Sequence, residues 1–408
     1  MRIRYLSLTN FRNYARLEIS LPERPLLLYG ANAQGKTSLL EAVYLLATGT
    51  SPLASRDRQV IKWQAEAEGL SYSRVWGEIV RGNRTDEIEV VLEKKPLSNG
   101  SVRTQKTIRV NRDRKRRAEM AGLLNVVVFM PQDLEIVAGS PSVRRRYMDN
   151  TLCQVDGAYC DALDRYSEAL SQRNAALRHL RDEGGNPNQL TPFEEILAHH
   201  GVAITYRRQV LLTHLTQRAD RIHRHLTGQT EWLRLDYQPS FGSGEMPEPT
   251  THARRKQAPT LPADYDVQVQ VFQQALVAHR REAIARGSTV LGPHRDDVSF
   301  IAGRPSQGTH EVDLGIYGSR GQQRTAVLAL KIAELEWMKE QTGEAPVLLL
   351  DEVLAELDAT RRTYLLSQVN QVEQALLTAT DLDMFSAQFR EQALTWQVDG
   401  GIVTPDES

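Results

Sequence analysis

The feature that most constrains this chain is a glycine-rich octapeptide close to its start. It reads Gly30-Ala31-Asn32-Ala33-Gln34-Gly35-Lys36-Thr37 and has every fixed residue of the phosphate-binding P-loop. Residues 25–29 before it are nearly all apolar, like a buried strand, and residues 38–48 after it have helical periodicity. A chance glycine-rich turn would not need these flanks. Strand, loop and helix together predict an α/β fold in which backbone NH groups at a helix N-terminus face phosphate oxygens.

The P-loop predicts ATP as ligand and assigns individual roles. Lys36 is expected to reach the β- and γ-phosphates, and Thr37 is expected to hold Mg2+. The remaining loop residues and Ser38, the next residue along the chain, should surround the phosphates.

A second motif lies far along the chain. Residues 347–350 are all apolar, and Asp351 and Glu352 follow them directly. This order places two carboxylates at the carboxyl end of a strand, where ligands gather in α/β sheets. We expect Asp351 to bind the metal through water and Glu352 to be the general base that orients the attacking water. Two acids at a strand end could also cap a loop, but the P-loop makes the catalytic interpretation the better one.

Length, net charge and cysteine content limit the possible domain organisation, partners and localisation of the protein. The chain has 408 residues, which favours two domains or one domain with a large insertion. Its formal net charge is -1, so any contact with nucleic acid must come from local basic clusters. Cys153 and Cys160 match neither a metal site nor a disulfide framework. No signal-peptide pattern and no run of about eighteen apolar residues occurs, so we expect a cytoplasmic protein without a membrane partner.

The segment before the acidic strand narrows the class of ATPase. Residues 319–322, Ser-Arg-Gly-Gln, and the helical stretch that follows them resemble the signature motif of ABC-type ATPases. Ser319, the Gly321 amide and the helix N-terminus would form a second anion site, with Gln322 beside them. In that superfamily the signature faces the γ-phosphate held by the partner subunit. The resemblance therefore implies a homodimer that ATP holds together and hydrolysis releases.

Three shorter segments resemble further ABC motifs. Asp358 stands where the D-loop would approach the nucleotide of the partner, although a Leu-Asp pair at a helix start is more often an N-cap. Gln132 stands where the Q-loop is expected and is a candidate to sense the metal. At the switch position, where many ABC ATPases have histidine, residues 378–380 read Thr-Ala-Thr.

Periodicity predicts how the domains are arranged. In residues 74–111, charged and β-branched residues alternate, which is typical of antiparallel strands with one solvent-exposed face. Residues 151–180, 193–226 and 267–286 have helical spacing, and the sequence becomes strand-like again at Thr289. Residues 242–263 have the composition of a mobile loop. We therefore expect an α/β, ABC-type P-loop ATPase head, with mixed sheets and flanking helices, built from residues 1–150 and 288–408. The inserted helical arm would comprise residues 151–287.

Several short sequence segments, taken in order along the chain, indicate which family of ATPases the chain resembles. They are Asn10-Phe11-Arg12-Asn13-Tyr14, Pro131-x-Asp133-Leu134, Gly139-x-Pro141-x-x-Arg144-Arg145-x-Tyr147-x-Asp149, Gln172-Arg173-Asn174-x-x-Leu177, Gly292-Pro293-His294-Arg295-Asp296-Asp297 and Ser319-Arg320-Gly321-Gln322. Together they resemble the bacterial RecF family of recombination and repair proteins over essentially the whole chain.

The resemblance implies a Rad50- and SMC-like head with a short arm, slow ATP hydrolysis and ATP-dependent dimerisation on DNA at the nucleoid. The DNA could be double-stranded, single-stranded or a junction. It also implies action with RecR and RecO to load RecA at gaps, in DNA repair, replication restart and SOS induction. By the same resemblance, Arg12 and Asn13 would contact the nucleotide, whereas the residues alone predict only a surface loop.

Basic clusters are the candidates for DNA contact. Residues 103–117 carry eight basic residues against Asp113, and the candidates at their probable hairpin turn are Arg112, Arg114, Lys115, Arg116 and Arg117. Binding there would release counterions and depend on salt. Residues 144–146 and 254–256 form smaller clusters. Each cluster could instead be a solvated face.

Three other kinds of protein could carry a P-loop, namely a transporter ATPase, a long-armed Rad50 or SMC relative and a kinase. A transporter ATPase would need a membrane partner and usually has a switch histidine, and a long-armed Rad50 or SMC relative would need more residues than 151–287. A P-loop kinase would not explain residues 319–322.

His199, His200 and His294 have no partners at metal-ligand spacing, so they are not expected to bind a metal ion. Residues 295–297 are expected to form a structural network.

Overall fold

The computed structural model describes residues 1–54, 56–67, 71–96, 102–242, 261–304 and 310–406. The strands are β1 (Arg2–Phe11), β2 (Tyr14–Ser20), β3 (Leu26–Tyr29), β4 (Tyr72–Arg81), β5 (Arg84–Pro96), β6 (Val102–Val110), β7 (Asp113–Lys115), β8 (Val126–Phe129), β9 (Trp232–Gln238), β10 (Asp297–Gly303), β11 (Glu311–Asp313), β12 (Val347–Asp351), β13 (Ala375–Ala379), β14 (Leu394–Asp399) and β15 (Ile402–Pro405).

Helices alternate with these strands along the chain. They are α1 (Lys36–Thr48), α2 (Trp63–Ala67), α3 (Leu134–Ala138), α4 (Pro141–Val155), α5 (Gly157–Glu183), α6 (Thr191–Leu226), α7 (Tyr265–Ala278), α8 (Arg280–Arg286), α9 (Leu314–Tyr317), α10 (Arg320–Thr342), α11 (Ala359–Val369) and α12 (Ala387–Gln392). Single 3₁₀ turns lie at Asp57–Val60, Arg117–Met120, Pro131–Asp133, Pro187–Leu190, Val353–Glu356 and Leu382–Met384. None of the described helices is long and apolar enough to cross a membrane.

The described chain divides into two units. Residues 1–133 and 334–408 form the first unit, and residues 134–333 form the second. The helix α10 carries the chain from the second unit back into the first. The division expected from the sequence, at 150/151 and 287/288, falls inside the second unit and stays a prediction.

An antiparallel sheet forms one layer of the first unit. Its strand order is β2-β1-β4-β5-β6-β7. The antiparallel pairing of β4, β5 and β6 within it is what the alternation of β-branched and charged residues predicts. Ile79 and Ile88 are buried on one face of this sheet. Glu78 and Glu87, their neighbours along the chain, form a directly paired register position on the other face.

The second layer of the first unit is a mainly parallel sheet. Its strand order is β15-β14-β3-β13-β12-β8, and only β15 runs antiparallel to its neighbour. The helix α1 contacts β1, β4 and β5 of the first sheet and β8, β12 and β13 of the second. Because α1 is apolar around most of its surface and buried from Leu39 to Thr48, it forms the centre of the core between the sheets.

The second unit is mainly helical. The helices α5 and α6 pack together, and α6 also packs against β9 and α7. A small sheet with the order β11-β10-β9 completes the unit. At a rise of about 1.5 Å per residue, the 27 residues of α5 extend about 40 Å and the 36 residues of α6 about 54 Å.

The predicted helices and strands are present, with three differences. The helix expected over 151–180 is interrupted because Asp156 has an extended backbone and caps α5 by accepting a hydrogen bond from the Tyr159 amide. The helix expected over 267–286 breaks at His279 between α7 and α8. The strand expected from Thr289 begins only at Asp297, because Thr289 is held by the side chain of Asn174.

Most of the loop predicted over 242–263 lies outside the described residues. The basic residues 254–256 fall within that part of the chain.

Candidate nucleotide-binding site

The P-loop lies between β3 and α1, as the motif requires. Gly30 has a φ of 147° and Gly35 a φ of 119°, a backbone conformation that favours glycine. A Cβ atom at Gly30 would overlap the carbonyl oxygen of Val398, and one at Gly35 would overlap the side chain of Asn13. Both glycines are therefore required by the path of the loop, independently of any ligand.

Neighbouring segments hold the loop in place. Asn13 Nδ2 donates to the Gln34 carbonyl at 2.7 Å, and the Gly401 amide donates to the same oxygen at 3.0 Å. The Tyr14 hydroxyl donates to the Gly35 carbonyl at 3.0 Å, and burial raises the pKa of that hydroxyl. The β1–β2 turn and the β14–β15 turn thus fix the loop from two sides.

Lys36 is the first residue of α1 and only 3% of it is exposed. Its Nζ donates to the carbonyl oxygens of Gly30 at 2.7 Å and Ala31 at 2.9 Å. It also forms an ion pair with Glu352 Oε1 at 3.1 Å. The P-loop lysine and the candidate general base are therefore direct neighbours.

The tertiary structure brings Asp351 to the P-loop. Asp351 Oδ1 accepts hydrogen bonds from the hydroxyls of Thr37 and Thr378, both at 2.8 Å. Burial raises the pKa of the Asp351 carboxyl, although these two hydroxyl bonds oppose the shift. Hydroxyl and carboxylate oxygens are the hard donors that Mg2+ prefers, so Thr37 and Asp351 fit a magnesium ion.

Glu352 stands at the end of β12 in a left-handed backbone conformation, with a φ of 52°. Its amide donates to the Thr378 hydroxyl at 3.0 Å. Thr378 on β13 therefore positions both acids, a role that sequence reasoning left unassigned. The register of β12 against β13, in which Asp351 pairs with Thr378, is the feature that creates this contact.

A cavity of about 760 Å³ opens in front of the loop. The predicted residues that line it are Arg12, Asn13, Asn32, Ala33, Gly35, Lys36, Thr37, Ser38 and Glu352. Sequence reasoning missed further lining residues, namely Gln59, Ile61, Lys62, Trp63, Gln64 and Gly400. No local motif marks them, because they reach the cavity only through tertiary contacts.

Arg12 lines the cavity but already has partners. Its Nε and Nη2 donate to the Glu41 carboxylate at 2.7 and 2.6 Å, and its Nη1 donates to the Gln59 carbonyl at 2.9 Å. Glu41 is buried within α1. The guanidinium thus neutralises a buried charge and links the β1–β2 turn to α1.

The remaining predicted residues of the first unit lie elsewhere. Gln132 follows β8, the strand beside β12, and its side chain contacts the Met130 sulfur at 3.1 Å. Asp358 is the N-cap of α11 and accepts from the Arg361 amide at 2.9 Å. Neither residue lines the cavity, and their predicted contacts with metal and partner stay predictions.

The signature residues lie at the start of α10 in the second unit. Ser319 Oγ accepts from the Gln322 amide at 3.2 Å, and Gln322 Oε1 accepts from the Ser319 amide at 3.0 Å. This reciprocal pair is a capping box and explains why the helix starts there. Ser319 and Gly321 are both exposed, so the helix N-terminus is open to a ligand.

The basic candidates for DNA contact form the β6–β7 hairpin and the residues after it. Arg112, Arg114 and Arg116 are exposed, whereas Lys115 is half-buried and pairs with Glu119 at 3.3 Å. Arg117 donates to the Thr48 carbonyl at 2.9 Å and so has a structural contact at the end of α1.

Residues 295–297 take part in a network of hydrogen bonds, as the sequence predicts. Arg208 is buried and donates to Asp149 Oδ1 at 2.8 Å and to the Pro293 carbonyl at 2.7 Å. Asp296 is within 3.5 Å of Arg208 and accepts from the Tyr237 hydroxyl. These bonds satisfy buried charges and hold the entry to β10.

Comparison with known proteins identifies close relatives. The family model of the RecF/RecN/SMC N terminal domain matches residues 2–402. The DNA replication and repair protein RecF of Herpetosiphon aurantiacus is 40% identical over 414 residues, covering 99% of this chain and 100% of the relative. The protein of the same description from Chloroflexus aurantiacus is 38% identical, with 99% of each chain covered.

The chain is also similar to solved structures of RecF proteins. The recombination mediator protein RecF-ATP of the RecFOR pathway is 30% identical with a TM-score of 0.82, covering 99% of this chain and 97% of that one. The RecF-ATPrS structure is 30% identical with a TM-score of 0.81, covering 100% and 98%. The SmcHead bound to the C-winged helix domain of ScpA is 15% identical with a TM-score of 0.50 over 100% and 97% of the chains, a likeness of fold alone.

Proposed function

The chain belongs to the RecF family of DNA replication and repair proteins, and from that premise we propose that it is an ATP-dependent recombination mediator. ATP binding closes two copies on DNA, and slow hydrolysis releases them. The single observation that carries this proposal is the meeting of Lys36, Thr37, Asp351 and Glu352 in one site within hydrogen-bonding distance.

Different residues of the site bind the phosphates, hold the metal ion and activate the attacking water. The P-loop amides and Lys36 hold the phosphates, since the lysine can exchange its carbonyl and carboxylate partners for phosphate oxygens. Thr37 and Asp351 would hold Mg2+, which would supply positive charge next to the phosphate oxygens. Glu352 accepts a proton from the attacking water and orients it, helped by the Thr378 hydroxyl that fixes its backbone.

The partner copy completes each site. The exposed Ser319, the Gly321 amide and the N-terminus of α10 offer an anion site that no described residue of the same unit covers. We propose that this site binds the γ-phosphate held by the second copy, that Asp358 approaches it, and that Gln132 senses the metal. Removal of the γ-phosphate would then separate the copies.

On DNA, the homodimer would act with RecR and RecO to load RecA at gaps. The family assignment and the RecFOR pathway of the solved relatives support these partners. The exposed arginines of the β6–β7 hairpin support a salt-dependent contact with the phosphate backbone.

The proposal is tested by measuring the mass of the protein in solution with and without ATP. The wild-type protein should double its mass with ATP, and Lys36→Met should neither bind ATP nor dimerise. Ser319→Arg should bind ATP with normal affinity but stay monomeric, because the new side chain would occupy the place of the phosphate of the second copy.

Ser20→Arg, an exposed change at the end of β2, is the control and should dimerise normally. Losing the Ser319 cap costs about 1 kcal/mol, so thermal unfolding of each variant is measured in parallel. A Ser319→Arg dimer of normal affinity, or a Lys36→Met dimer, would refute the shared site.

A further inference from the structure

Trp63 is an unusually exposed aromatic residue. It is the first residue of α2, 75% of it is exposed, and it lines the cavity in front of the P-loop. Trp337 and Trp396, by contrast, are buried. The exposed indole is therefore not used in the packing of this unit and is available to contact a ligand in the cavity.

Residues 60–62, which directly precede Trp63, are hydrogen-bonded to the β1–β2 turn. The Arg12 amide donates to the Val60 carbonyl at 2.8 Å, and the Lys62 amide donates to the Asn10 carbonyl at 2.9 Å. Lys62 Nζ donates to the Asn13 carbonyl at 3.0 Å. Because Asn13 also holds the P-loop through Gln34, the indole and the phosphate-binding loop are attached to the same turn.

The cavity is lined by residues of two chemical kinds. Its lining includes Lys36 and Thr37 of the P-loop, which suit phosphates, and also the apolar residues Ile61 and Trp63. A flat, apolar and aromatic ligand group suits these two apolar residues. The nucleobase is the aromatic group of a nucleoside triphosphate, and aromatic side chains stack on the faces of bases.

We propose that Trp63 is the stacking platform for the base of the bound nucleotide, an inference that rests on the proposed ATP binding. Stacking uses the face of the base and not its edge, so the platform favours purines over pyrimidines by their larger area and discriminates weakly between purines. Trp63 thus adds affinity and base preference, while the P-loop provides the phosphate site.

The test is a calorimetric titration of the full chain, with Mg2+, using ATP, CTP and inorganic tripolyphosphate. Trp63→Ala should weaken ATP binding about 5- to 150-fold, the range found when a stacking aromatic is truncated. It should weaken CTP binding less and leave tripolyphosphate binding unchanged. Trp63→Phe should retain most of the ATP affinity.

Leu53→Ala is the matched control, since Leu53 is 40% exposed in the same part of the chain but does not line the cavity. It should bind all three ligands like the wild type. Because Trp63 is exposed, its truncation should leave the thermal unfolding midpoint unchanged, which is measured on each variant.

The outcomes separate this proposal from the proposed function. Unchanged ATP affinity in Trp63→Ala, or an equal loss for ATP and tripolyphosphate, would overturn the stacking platform while leaving ATP binding intact. Failure of the wild type to bind ATP, or normal binding by Lys36→Met, would overturn the proposed function and the platform with it.

Discussion

Buried charges in this chain are matched residue by residue. Lys36 has three oxygen partners, Arg12 neutralises the buried Glu41, and Arg208 lies between acids in the second unit. Burying an ionised group is tolerated only with such partners, because removing either member leaves an unpaired charge. The proposed role of Lys36 requires that its two carbonyl partners and Glu352 be exchanged for phosphate oxygens.

His294 is a titratable residue held in its neutral form. Its Nε2 lies 3.2 Å from the Thr289 carbonyl, which can only accept, so Nε2 carries the proton. Its Nδ1 then accepts from the Tyr166 hydroxyl at 2.7 Å. Burial lowers the pKa of His294 from 6.5 to about 4; the hydrogen bond to Thr289 opposes this shift, and the nearby Arg295, Arg145 and Arg173 contribute to it.

We predict that this imidazole makes the protein less stable in acid. Because its pKa is lower in the folded state, its contribution to stability is present above pH 6.5 and is lost as the pH falls towards 4. Between pH 7 and pH 5, His294→Gln should lose about 2 kcal/mol less unfolding free energy than the wild type. Denaturant unfolding at the two pH values measures this difference.

His279→Gln removes an exposed histidine of the same unit and is the control. It should keep the full acid sensitivity of the wild type. Equal pH dependence in His294→Gln and the wild type would contradict the predicted role of His294.

The β6–β7 hairpin presents positive charge at its turn. Asn111 and Arg112 both have positive φ, as the two residues of a tight hairpin turn do, and Val110 pairs with Asp113. Asn111 also accepts from the Glu87 amide at 2.8 Å, which joins the turn to β5. Arg112 and Arg114 are exposed and form no ion pair with any other described residue.

We predict that this hairpin contributes to DNA affinity through phosphate contacts. The double variant Arg112→Ala/Arg114→Ala should bind duplex DNA more weakly, and the slope of log K against log salt should decrease by about 1 to 2. Fluorescence anisotropy at several salt concentrations measures both quantities. Arg24→Ala/Arg84→Ala, which removes two other exposed charges, should have little effect; equal slopes in wild type and the Arg112/Arg114 variant would exclude the hairpin.

For the whole molecule, hydrolysis should set the lifetime of the ATP-bound dimer. We predict that Glu352→Gln binds ATP but hydrolyses it about 100-fold more slowly or worse, because an amide cannot accept the proton of the attacking water. The dimer formed with ATP should therefore persist. Phosphate release and solution mass, followed over time after ATP is added, test this prediction.

Glu356→Gln, an exposed change four residues later, is the control and should hydrolyse ATP and dissociate like the wild type. Phosphate release by Glu352→Gln at the wild-type rate would remove Glu352 from the role of base.

Local patterns predicted much of the fold and of the site. The P-loop, the acidic end of β12 and the amphipathic alternation of β4 to β6 depend on neighbouring residues, so they can be recognised without the fold. The break at Asp156 was missed because an N-cap inside a helical pattern looks like an ordinary polar position. The strand expected from Thr289 was wrong because distant side chains, Asn174 and Arg173, hold that residue.

By itself the sequence determined which residue types stand at the positions proposed to bind phosphate, metal and water, since such motifs depend on residue type and on immediate flanks. Only the tertiary structure decided which residues share the cavity. Thr378 reaches both acids through strand register, and Trp63 reaches the nucleotide cavity because residues 60–62 are bonded to the β1–β2 turn. Such contacts join residues far apart along the chain, and no local pattern records them.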